Sequence, residues 1–87
     1  MRFVSTRSFD RRMRKLPEEM KNKVEERLIL FVSDPQHPLL NDHKLNAPLD
    51  GCRSINITGD YRLVYRKLSE NIIELHAVGT HHEMYGE

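Results

Sequence analysis

Residues 52–57 (CRSINI), 61–67 (YRLVYRK) and 72–78 (IIELHAV) are three runs of β-forming residues, separated by Thr58-Gly59-Asp60 and by the stretch around Ser69-Glu70-Asn71. Nothing else in the chain restricts its fold as much. Connections this short cannot cross over a sheet, so the runs must pair as antiparallel neighbours. Side chains alternate between the faces of a strand. Alternation sends Ile55, Ile57, Leu63, Tyr65, Ile73, Leu75 and Ala77 to one side, and Cys52, Ser54, Asn56, Arg62, Val64, Arg66, Glu74 and His76 to the other. The first side is apolar and needs a cover. The second is unusually polar for a sheet, and its arginines and amides suit an anion.

The cover comes from the N-terminal half. Arg2–Ser5 is short and β-compatible, and Ser5 or Thr6 can cap a helix carrying Phe9, Met13 and Leu16 at helical spacing. Pro17 fits the first position of a second helix, with Glu18 and Glu19 in its electropositive first turn. Along it Met20, Val24, Leu28 and Phe31 recur every three or four residues, a stripe suited to packing on a sheet. That helix should end near Ser33-Asp34-Pro35, and residues 34 to about 50, with Pro35, Pro38 and Pro48, read as an irregular arm. The expectation is an α+β fold in the order β-α-α-β-β-β: a small, mostly antiparallel sheet with a two-helix hairpin packed on one face, forming one domain over residues 1–87. A chain of 87 residues supports one modest core. The single Cys52 cannot form an internal disulfide, which points to a reducing compartment. The longest apolar run, Leu28 to Val32, is far short of a membrane span, and the N-terminus carries no signal-peptide core. A soluble, cytoplasmic protein is expected.

Net charge is only +1, but the charges are not evenly spread. Residues 1–16 hold Arg2, Arg7, Arg11, Arg12, Arg14 and Lys15 against Asp10, and residues 52–67 hold Arg53, Arg62, Arg66 and Lys67 against Asp60. A solvated helix face accounts for the first group as well as a binding surface does. Members of the second group alternate along a strand and project on a common side, which favours a binding role. No phosphate-cradling G-x-x-x-x-G-K-[ST], dinucleotide G-x-G-x-x-G or hydrolase G-x-S-x-G motif is present. His43, His76, His81 and His82 lack the spacing that zinc sites use.

Three strings, "DHKLNAPLDGCRSINI", "GDYRLVYR" and "AVGTHHEMYG", together with this order of elements, resemble the RelE/ParE toxin superfamily of toxin–antitoxin modules, and more closely its YafQ-like branch. The resemblance implies an mRNA interferase, an endoribonuclease that cuts mRNA in the ribosomal A site without a metal or other cofactor. In such a reaction the 2′-hydroxyl attacks the neighbouring phosphorus and expels the 5′-oxygen, so a base, an acid and positive charge are needed. It also requires RNA, because only RNA carries the 2′-hydroxyl. The implied partners are a cognate antitoxin that wraps the toxin, and mRNA on the ribosome, with no membrane and no small molecule.

By the same resemblance, His81 in Gly-Thr-His is a general acid or base, and His43, preceded by Asp42, is a second proton-transfer group. Asp60 orients a histidine or acts as a base, although a residue in a hairpin turn can also serve only to cap it. Tyr85 supplies a stacking platform for an extruded base, a proton-transfer group, or merely a pin for the C-terminus. Arg62 stands near the scissile phosphate, while Lys44, Arg53, Tyr61 and Arg66 contact RNA or the ribosome. His37, His76 and His82 are given no functional role. The branch carries a second histidine where this chain has Asn56, and a tryptophan where it has Tyr61. Asparagine can hydrogen-bond RNA but cannot shuttle protons. Two other readings therefore stand beside the nuclease: a ParE-like inhibitor of DNA gyrase, and a homologue that binds antitoxin or RNA without efficient cleavage.

Overall fold

Thr6 begins the tertiary structure, a computed structural model describing residues 1–85. Its hydroxyl accepts the N–H of Phe9 at 3.1 Å, capping α1 (Arg7–Lys15), and donates to the carbonyl of His76 at 2.8 Å. One side chain thus starts the first helix and ties it to the last strand. Helix α2 (Glu18–Ser33) follows with Pro17 as its N-cap, and buries Val24 and Phe31 of the expected stripe.

The strands are β1 (Arg2–Ser5), β2 (His43–Lys44), β3 (Arg53–Asn56), β4 (Tyr61–Ser69) and β5 (Ile72–Thr80). They form one sheet in the order β1-β5-β4-β3-β2, with β1 parallel to β5 and every other pairing antiparallel. The hairpins place β4 at the centre, and β1 joins the free edge of β5. The fold is α+β with the expected two-helix hairpin. Two elements add to the expected order: β2, within the arm, and a terminal helix α3 (His81–Tyr85).

The arm is more ordered than its prolines suggest. Pro38–Leu40 forms one 3₁₀ turn, closed by Asn41 in the left-handed conformation (φ 45°), which asparagine tolerates better than most residues. The turn drives Leu40 completely into the core, in the buried cluster that also holds Phe31 and Ile55.

The apolar face differs from simple alternation at one position. Tyr65 pairs with Leu75 while Val64 pairs with Ala77, so His76 is an extra residue on β5, a β-bulge. Beyond it the faces exchange. Val78, fully buried and opposite Leu63, joins the core in place of Ala77, which turns to the other side with Val64.

The second face is not openly polar either, because Cys52, Ser54 and Val64 are buried. Gly79 is paired with Arg62, so a Cβ on Gly79 would point to this face. It would meet Arg12 Nη1 at 2.7 Å, Glu83 Oε1 at 3.0 Å and Met84 Cγ at 3.5 Å. Helix α3 therefore lies on this face, over a glycine that leaves room for it. Met84 and the arm residues Leu45–Leu49 line one cleft of about 330 Å³. Arm and helix together roof the middle of the face, and its charged groups remain at the borders.

Candidate functional site

The border nearest the β3–β4 turn holds most of the expected groups. The turn is capped by Thr58, whose hydroxyl accepts the N–H groups of Asp60 (3.3 Å) and Tyr61 (3.1 Å). That work does not fall to the Asp60 carboxylate, which is on an exposed residue. Arg62 folds back over the same turn, its Nη1 donating to the carbonyls of Thr58 (3.0 Å), Gly59 (3.0 Å) and Tyr61 (3.2 Å). All three bonds use Nη1, one of the three nitrogens of a guanidinium fork.

The turn also receives the end of β5. The backbone N–H of His81 donates to the carbonyl of Asp60 at 3.1 Å, so the histidine and the acid sit against one another at one corner of the sheet. His81 is the first residue of α3, and its exit from the strand is set by a reciprocal cap. Thr80 N–H donates to Glu83 Oε1 (2.8 Å), and Glu83 N–H donates to Thr80 Oγ1 (3.1 Å). The Thr80 backbone bond holds the Glu83 carboxyl below the usual carboxylate range, against a weaker opposing desolvation, and Arg12 and His82 add to the lowering. A helix turn, not β5 itself, delivers His81, and Thr80-x-x-Glu83 is a capping box readable in the sequence.

Cross-strand register locates the remaining groups. Asn56 is opposite Arg62, and His43 is opposite Ser54, one strand further out. Arg66 is opposite Glu74 and reaches Cys52 Sγ with Nη2 at 3.7 Å. His43, Asn56, Arg62 and Arg66 thus share a face, with Asp60 and His81 at its corner. His43 on β2 and His81 after β5 are three strand spacings apart across the sheet, roughly 14 Å at about 4.8 Å each, and are also offset along it, because the register sets His43 level with Ala77, before His81. They flank a strip of sheet that a nucleic-acid backbone could follow. The Oδ1 atom of Asn56 is buried and has no hydrogen-bond partner among the described residues.

Other expected contacts lie elsewhere. Tyr61 is opposite Thr80 and packs, half-buried, against the core on the helix side. Arg53 pairs with Tyr65 and with Lys44, so alternation puts all three on that side as well. Arg53 lines a polar cleft of about 370 Å³ with Pro35, His37, Asn41 and Asp42, and donates from Nε to Asp42 Oδ1 at 2.7 Å. The side chain of Tyr85 lies outside the described residues. Among the described residues, no three of His, Cys, Asp or Glu stand close enough to hold a metal ion, and no helix is long and apolar enough to cross a membrane.

Comparison with known proteins adds to this geometry. The family described as bacterial toxin of type II toxin–antitoxin system, YafQ, matches residues 1–86. Among solved structures, the chain is similar to YafQ from E. coli strain BL21(DE3), with 21% identity and a TM-score of 0.79 over 97% of both chains. It is also similar to the toxin in the E. coli DinJ-YafQ complex (21% identity, TM-score 0.73, 97% of both chains). The YoeB/ParE toxin from Agrobacterium tumefaciens shares 24% identity, with a TM-score of 0.77 over 93% of this chain and 99% of that one. At these identities the structures speak for the fold. No protein of curated function matches the sequence.

Proposed function

The chain belongs to the YafQ family of bacterial toxins of type II toxin–antitoxin systems, and on that footing we propose that it is a metal-independent, ribosome-dependent mRNA endonuclease. The observation that carries this reading is the backbone bond from His81 N–H to the Asp60 carbonyl, which brings these two residues to the turn that Arg62 folds over. A base takes the proton of the 2′-hydroxyl as its oxygen attacks phosphorus. The 5′-oxygen leaves with a proton from an acid, producing a 2′,3′-cyclic phosphate and a free 5′-hydroxyl.

His43 suits the base. Its Nδ1 is 2.8 Å from the carbonyl of Asn41. A carbonyl only accepts, so Nδ1 carries the proton and Nε2 keeps its lone pair. His81, oriented by its position against Asp60, then serves as the acid. The guanidinium of Arg62 offers its other N–H groups to the phosphate, where charge grows in the transition state. Tyr85 stacks the extruded base, and Arg66 and Asn56 hold the RNA strand. The substrate is mRNA in the ribosomal A site, which puts the protein in the cytoplasm, and the restraining partner is an antitoxin, as DinJ is for YafQ in the E. coli complex.

Primer extension on a translated message tests this. The wild type should give discrete cuts and His81→Ala should lose them; equal cutting by both would remove His81 from the mechanism. One observation favours a second reading, a protein that binds antitoxin or RNA with little cleavage: Asn56, whose amide cannot move protons. Growth without arrest and intact RNA on overexpression would select it, and inhibition of gyrase supercoiling would displace both.

A further inference from the structure

His43 sits on the weakest element of the sheet. Strand β2 is two residues long, forms the outer edge, and pairs only with β3. Both of its residues are exposed. An edge strand this short opens readily unless something besides its ladder holds it. If His43 is to act as a base, its ring must nevertheless keep one place and one tautomer.

Asp42, the residue just before β2, supplies the hold. Its Oδ1 accepts from Arg53 Nε at 2.7 Å, and its Oδ2 accepts from the Tyr65 hydroxyl at 2.5 Å. Both carboxylate oxygens are engaged, on a side chain only 15% exposed. Tyr65 is itself locked: it is 4% exposed and its ring meets Phe31 of α2 edge to face, with centroids 5.0 Å apart. A rigid path therefore runs from α2 through the Tyr65 hydroxyl to Asp42, and one peptide later to His43. On the other side of Asp42, Asn41 adopts the left-handed conformation that aims its carbonyl at His43 Nδ1. All of these partners except Asn41 reach Asp42 from the helix side, the face opposite the candidate catalytic groups.

The geometry points to Tyr65, Asp42 and Arg53 as a clamp that positions His43, holding β2 against the sheet and the ring in its Nδ1–H form through the Asn41 carbonyl. This assigns Arg53 to positioning instead of RNA contact. The inference rests on the reading of His43 as a base, yet it has a readout of its own.

The test uses the full chain and Tyr65→Phe, which removes only the hydroxyl and leaves the ring to pack, with Arg53→Lys as a second variant that keeps the charge and loses the Nε geometry. In wild-type protein, nitrogen–proton correlation spectra should show His43 as the Nδ1–H tautomer, and the Leu45 amide, which donates to the Cys52 carbonyl at 3.1 Å, should be protected from exchange. In both variants the tautomer should become mixed and Leu45 protection should fall, while amides of β4 and β5 stay protected. Unchanged His43 spectra and Leu45 protection in both variants would overturn the clamp. This arm stands whether or not the protein cuts RNA. In single-turnover cleavage on programmed ribosomes, Tyr65→Phe should slow the step by on the order of 10-fold without weakening ribosome binding. In a His43→Ala background it should add no further loss, whereas equal slowing in both backgrounds would mark a merely structural role and refute positioning. If the wild type does not cut, the nuclease reading fails and the spectra alone decide the clamp.

Discussion

Leu39 and Leu40 are neighbours in a proline-rich arm and have opposite fates: Leu39 is 57% exposed and Leu40 is 0% exposed. Truncating each to alanine isolates what the arm contributes to the fold. At Leu40 the change removes about three buried methylene equivalents at about 0.8 kcal/mol each, near 2.4 kcal/mol. Leu40 shares its buried cluster with Phe31 and Ile55, on separate elements that cannot both collapse into the gap. A cavity term therefore adds to the transfer term, and about 3 kcal/mol is expected, within the measured span of about 2–5 kcal/mol for such truncations. For a chain of this size that is a large share of a total stability of about 4–13 kcal/mol. It corresponds to a fall in Tm of roughly 12–24 °C. Leu39→Ala should stay within about 0.5 kcal/mol of the wild type. Urea titrations followed by circular dichroism measure both, and an unchanged slope shows that the midpoint shift reflects stability. Equal midpoints for the two variants, or a Leu40→Ala loss below about 1 kcal/mol, would refute the claim that the 3₁₀ turn anchors the arm, and with it the account of how His43 is held near the sheet.

The capping box should be separable from global stability. Thr80→Val should cost α3 about 1 kcal/mol of local stability and lower protection of the His81 amide while β4 and β5 amides are unaffected. The Glu83 carboxyl is depressed by its bond to Thr80, so its hold on α3 is present above the ordinary carboxylate pKa and is lost as pH falls through the lower folded value; the Thr80 amide shift in an acid titration reports this. Tyr65 behaves in the opposite sense. Burial and the hydrogen bond to Asp42 push its phenol well above the usual range, so its contribution is complete below the unfolded pKa of about 10 and is lost as pH rises toward the folded value. Stability of the wild type should therefore fall above about pH 10 with a slope of up to about 1.4 kcal/mol per pH unit from this group, and Tyr65→Phe should flatten that limb of a denaturation series. If the protein is the proposed nuclease, Asn56→His should raise cleavage by on the order of 10-fold or more in the primer-extension assay; a slower enzyme would mean that asparagine is the group this site uses.

Local pattern alone made most of the fold legible. The hairpins of β3, β4 and β5 follow from three β-rich runs with short turns, and the helix hairpin follows from stripes such as Met20, Val24 and Phe31, since both signals depend on neighbours within a few residues. The grouping of Asn56, Arg62 and Arg66 on one face follows from alternation in the same way, and Asp60 and His81 could be nominated from their motifs. Helix α3 also had a local signal, the Thr80-x-x-Glu83 box just beyond the 72–78 run.

The remaining features depend on contacts between residues distant in sequence. The bulge at His76 exchanges Ala77 for Val78 in the core, and only the pairing of β5 with β4 shows it, because no local rule says where a ladder slips. Leu39 and Leu40 have the same chemistry, so which of them is buried is decided by where the 3₁₀ turn meets β3. Arg53 reads as one more cation of a basic strand until Asp42, eleven residues earlier, and Tyr65 on the next strand are seen to hold it. The sequence by itself determined the two long helices, the β-rich runs and most of their apolar faces, because those follow from repeats of two and about 3.6 residues. The tertiary structure decided which polar groups meet, because a hydrogen bond between distant residues has no period in the chain.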